Sequence, residues 1–151
     1  MIKNGLLPGL ALVMLLALTS CYSVPESIDE DLSINEYFQK AQEAVVEHND
    51  FETALFYYNT FKERYPEEYG RIVEADYEIG FIYYKKEQYE EAKKIFEDVL
   101  DRYTTANAGL YPEWPKILSE KLLNKIEEKQ NPSQKEEPVK DEESVPEGDV
   151  Y

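Results

Sequence analysis

The chain has 151 residues, a formal net charge of −16, 32% charged side chains and 13% aromatic ones. Such acidity argues against nucleic acid and anionic lipid as partners, because both are held by clusters of Lys and Arg. The single cysteine, Cys21, rules out an internal disulfide and a Cys-based zinc site built from this chain alone. The central stretch is rich in Ala, Leu, Ile, Tyr, Glu and Lys and poor in stiff β-branched residues, so it predicts an all-α fold.

Residues 1–20 read as a secretory signal: Lys3, an apolar run from Leu6 to Leu18, then Thr19 and Ser20 before Cys21. The run is shorter than the roughly 20 apolar residues that a spanning helix needs. Leu18-Thr19-Ser20-Cys21 resembles the lipobox of bacterial lipoproteins. That resemblance implies diacylglycerol and N-acyl chains on Cys21, which becomes the first mature residue. Each buried CH₂ contributes about 0.8 kcal/mol, so two or three acyl chains hold a soluble domain durably. Tyr22 stands where some lipoproteins carry a retention Asp, which points the expected destination to the outer membrane, facing the periplasm. Residues 21–32 are polar with one proline and read as a tether.

The middle of the chain repeats. Aligning Phe38–Tyr65 with Asp76–Tyr103 pairs Phe51 with Tyr89, Ala54 with Ala92, Tyr58 with Phe96, Phe61 with Val99 and Arg64-Tyr65 with Arg102-Tyr103. The first helix pair, 33–66, opens on a Ser33-x-x-Glu36 capping box and breaks at Asn49-Asp50, where Asp50 can cap the second helix before Pro66 ends it. The second pair, 67–104, directs Ile72, Ala75, Ile79, Gly80, Ile82 and Tyr83 inward and breaks at Glu87-Gln88. Residues 105–129 supply a loop and a capping helix with Trp114, Ile117, Leu118, Leu122 and Ile126 on one stripe, and 130–151 read as an acidic disordered tail.

The small and aromatic positions Gly80, Tyr89, Ala92 and Phe96, with Phe51, Ala54, Tyr58 and Pro66, resemble the tetratricopeptide repeat (TPR). The expected architecture is a short TPR-like solenoid of two helix-turn-helix repeats and a C-terminal capping helix. Gln42 and Thr104 depart from the pattern, standing in place of a small residue and of a closing proline. The resemblance implies that the first helix of each pair lines a concave groove. Its groove positions fall on Glu36, Gln39, Glu43 and Val46, and on Glu74, Tyr77, Phe81 and Tyr84. Gln39, Glu43, Tyr77, Phe81 and Tyr84 are the candidate partner-binding residues. Tyr77, Phe81 and Tyr84 share one helix face, which suits either a protein interface or a core beneath the capping helix.

No catalytic constellation is visible. His48, the only histidine, stands at a helix end where the dipole favours it, and acidic neighbours such as Glu90-Glu91 follow from composition. No glycine-rich loop could cradle a phosphate. The expectation is a non-enzymatic scaffold without cofactor or metal. The lipobox, tether and repeats ending in Arg64-Tyr65-Pro66 together resemble the BamD-type lipoproteins of the outer-membrane β-barrel assembly machinery. This implies another envelope protein as partner, such as a barrel-assembly protein. A TPR adaptor of cell-division or envelope machinery and a surface-exposed lipoprotein with an external ligand are the alternatives.

Overall fold

A computed structural model of the chain describes residues 24–29 and 31–131. The leader, Cys21 and the tail from 132 onward lie outside the described residues. Among the described residues, five α-helices and one 3-10 turn follow one another: α1 (Ile34–His48), α2 (Phe51–Arg64), α3 (Tyr69–Lys85), α4 (Tyr89–Arg102), the turn Ala108–Leu110 and α5 (Glu113–Gln130). The fold is an all-α helical repeat, with no strand among the described residues. None of these helices is long and apolar enough to cross a membrane. The chain divides into two compact units meeting at Glu68–Tyr69.

In the first unit, α1 packs on α2 as a helical hairpin. Its start is fixed by the expected capping box: the Glu36 N–H donates to Ser33 Oγ at 3.4 Å, and the Ser33 N–H donates to Glu36 Oε2 at 2.8 Å. The chain leaves α1 through Asn49, whose φ of 51° lies in the left-handed region that Asn tolerates well. Asp50 then caps α2, accepting from the Thr53 N–H at 3.0 Å and the Thr53 hydroxyl at 2.8 Å. Between the helices lies an aromatic core of Tyr37, Phe38, Tyr58 and Phe61, closed by the fully buried Ala41, Ala44 and Ala54. Phe38 meets Tyr58 and Phe61 edge-on at centroid distances of 5.3 and 5.2 Å.

The tether assignment for 21–32 needs correction at its C-terminal end. Ile28 and Leu32 are buried, and their segment is bonded to α2. The Arg64 guanidinium donates to the carbonyls of Asp29 and Ile28 at 2.9 and 3.3 Å and to the Tyr37 hydroxyl at 2.6 Å. The Tyr65 hydroxyl donates to the Leu32 carbonyl at 3.0 Å. Ile28, Asp29 and Leu32 are therefore held as a strap on the first hairpin, because two aliphatic side chains find cover and the backbone carbonyls find donors.

In the second unit, α3 packs on α4, and α5 packs on both. Gly80 permits the close approach of α3 to α4: a Cβ there would come within 2.7 Å of Phe96 Cε1 and 3.1 Å of Ile95 Cγ2. Asp76 on α3 is paired with Arg102 on α4 at 2.6 Å. Thr104, which replaces the closing proline of the pattern, helps end α4 by another route. Its hydroxyl donates to the Asp101 carbonyl, and that of Thr105 to the Arg102 carbonyl, both at 2.7 Å.

The stripe of α5 also differs from expectation. Pro115, Ser119, Leu122 and Ile126 face inward, whereas Ile117 is 58% exposed and Trp114 stands at the edge. The five expected positions from Trp114 to Ile126 together spread over half of the helix circumference at about 100° per residue, and the packing selects the side carrying Leu122 and Ile126.

Candidate partner-binding site

The groove positions of the two pairs meet different fates. On α3, Tyr77 is 7% exposed and joins Ala92, Phe96, Leu122 and Ile126 in a buried cluster, against which Phe81, Tyr84, Leu118 and Leu123 pack. The rings of Tyr77, Phe81 and Tyr84 form a nearly parallel row, with centroids 6.3 and 6.4 Å apart. Trp114 of α5 stands edge-on against Tyr77 at 5.1 Å. Burial, and secondarily Glu78, push the Tyr77 hydroxyl up to about 12. Of the two uses that the sequence allows for this face, the geometry is that of a core beneath the capping helix. Phe81 and Tyr84 are partly exposed.

On α1 the corresponding positions are open. Glu36, Gln39, Glu43 and Val46 are all exposed, Val46 at 81%. The four recur at helical spacing on the side of α1 opposite Tyr37, Ala41 and Ala44. Hydrogen bonds from Ser33 hold the Glu36 carboxyl below its ordinary range. At the C-terminal end of this face, Glu43, Glu47 and His48 offer ligand atoms within 4.8 Å of one another. All three are exposed, and such clusters arise readily on an acidic helix.

On α3, Glu74 is half-buried and paired with Arg71. Its neighbour Glu78 is the most perturbed carboxyl: burial first, then the like charge of Glu74, push it up to about 7. Sequence reading did not single out Glu78, although its i, i+4 spacing from Glu74 is the visible signal.

A family model of the tetratricopeptide repeat matches residues 74–106, most of the second helix pair. A protein of Treponema pallidum (strain Nichols), described as uncharacterized, is 26% identical over 104 residues, covering 68% of this chain and 41% of that protein. The chain thus matches about two fifths of that relative's length. No solved structure matches the chain.

Proposed function

We propose that the chain is a membrane-anchored scaffold that binds other envelope proteins, as an accessory lipoprotein of outer-membrane β-barrel assembly. The observation that carries the scaffold reading is the tetratricopeptide repeat at 74–106, a repeat that generally mediates protein–protein contact. Within that reading, the exposed face of α1 around Gln39, Glu43 and Val46 is the surface that meets the partner, since α5 already covers most of the equivalent face of α3. An isolated, strongly exposed Val46 among polar neighbours suits the apolar centre of a small contact.

Anchoring is supported by Leu18-Thr19-Ser20-Cys21. Cys21→Ser should move the protein from the membrane fraction to the soluble fraction; a variant that still pellets and resists salt wash contradicts a lipid anchor. The partner is tested by purifying the tagged protein from its own membranes in mild detergent and identifying what stays bound. A stoichiometric barrel-assembly protein is the expected result. Division or cell-wall proteins in its place would favour an adaptor of the envelope machinery.

A further inference from the structure

One edge of α5 carries Trp114, Leu118, Lys121 and Lys125, at spacings that keep them in line along the helix. The two ends of this line are tied to the rest of the unit. Trp114 meets Tyr77. Lys129, one turn beyond Lys125, donates from its Nζ to the Tyr89 hydroxyl oxygen at 3.0 Å and lies 5.9 Å from the Tyr84 ring. The row of Tyr77, Phe81 and Tyr84 on α3 runs beside this edge. The result is a shallow apolar strip between α3 and α5, bordered by two exposed lysines. Among the described residues, neither Lys121 nor Lys125 makes an ion pair or hydrogen bond, in a chain whose net charge is −16. Like charges one turn apart destabilise a helix, and an acidic occupant would relieve that repulsion.

We infer that this strip is the docking site of the chain's own C-terminal segment, residues 132–151. The inference does not depend on the partner proposed above. The segment carries Glu136, Glu137, Asp141, Glu142, Glu143, Glu147 and Asp149 against only Lys135 and Lys140, and it intersperses Val139, Val145, Val150 and Tyr151. Acidic side chains complement Lys121 and Lys125, and the apolar ones suit Trp114, Leu118 and Phe81. The segment begins just after α5 ends. Trp114 lies about 24 Å from that end at 1.5 Å per residue, whereas residues 132–151 reach up to about 65 Å when extended. Tethering supplies an effective concentration on the order of millimolar. A separate acidic partner would instead have to approach a body of net charge −16 and displace the tethered segment.

Trp114 is the only tryptophan, so its fluorescence reports on the strip directly. Emission and quenching by acrylamide, which is uncharged, are compared at low salt for the full chain, a chain ending at Asn131, and the full chain with Lys121→Glu and Lys125→Glu; circular dichroism checks that helix content is retained. The full chain should emit at shorter wavelength and resist quenching, and both variants should be red-shifted and more readily quenched. Roughly 0.5 M salt, where the Debye length falls to about 4 Å, should make the full chain resemble the shortened one. Adding the 132–151 peptide to the shortened chain should restore protection. Identical quenching of the full and shortened chains overturns the inference. So does equal protection of both by added polyglutamate, which would mean that the strip stands open to an external acidic partner.

Discussion

The two helix pairs carry matched residues at matched positions but solve the same local problems with different chemistry. The turn within each pair passes through a left-handed residue, Asn49 in the first and Glu87, at φ 59°, in the second. Asn tolerates that region; Glu has no such advantage. The next residue caps the following helix in the first pair, where Asp50 bonds Thr53, whereas Gln88 makes no side-chain cap bond to α4. Arg64 fastens the strap at Ile28 and Asp29, while its counterpart Arg102 neutralises Asp76. Lys40 stands one turn from Glu36, but at the corresponding place Glu78 stands one turn from Glu74. The first pair is thus well made in its turns and closes on its own N-terminal strap. The second has poorer turn chemistry and relies on the cover that α5 provides.

Substituting the two arginines breaks this comparison most sharply. Arg102→Ala removes the guanidinium paired with the buried Asp76 carboxylate and should cost about 2 kcal/mol, less than a fully buried pair because the arginine is partly exposed. Adding Asp76→Asn should recover much of that loss in a double-mutant cycle by urea denaturation. Arg64→Ala should cost about 1 kcal/mol, near the net worth of a hydrogen bond, and should make residues 24–32 newly sensitive to limited proteolysis. Equal losses with no change in cleavage would mean that the two arginines do one job.

The Glu74–Glu78 contact gives a pH signature. The carboxyl of Glu78 is raised from 4.5 to about 7 in the folded chain, so the fold binds its proton more tightly than the unfolded chain does. Its contribution is fully present below pH 4.5 and fades as pH rises through about 7. Between pH 5 and pH 8 the wild type should lose on the order of 1–2 kcal/mol relative to Glu78→Gln, the shift being discounted for partial solvent screening. Parallel stability curves for the two proteins would contradict the burial assigned to Glu78.

The smallest expected effect comes from repairing the second turn. Gln88→Asp should raise the melting midpoint through a gain of about 1 kcal/mol, by giving α4 the cap that Asp50 gives α2. No change would mean that the α4 N-terminus is already satisfied in solution.

What the sequence disclosed was mostly local. The Ser33 and Asp50 caps announce themselves by residue type and spacing, and Ala54, Ala92 and Gly80 mark close crossings because only small residues fit there. The strap was not legible: Ile28 and Leu32 lie in a short acidic stretch without periodicity, and the bonds that hold it run to backbone carbonyls, which leave no trace in side-chain pattern. Ser119 and Pro115 read as surface or breaker residues by type, yet both face the core of α5's interface. For Tyr77, Phe81 and Tyr84 the ambiguity was physical, because an amphipathic ring with a polar tip serves an interface and a partly wet core equally well.

That last face holds the central claim, that α5 rather than a partner covers the aromatic row of α3. Tyr77→Ala tests it directly, with urea denaturation and partner co-purification measured on the same variant. If Tyr77 is core, the variant loses about 2–4 kcal/mol, while the chain that remains folded still co-purifies the partner through α1. A midpoint unchanged from wild type, together with loss of the bound partner, would show that the row is the binding groove and would contradict the account.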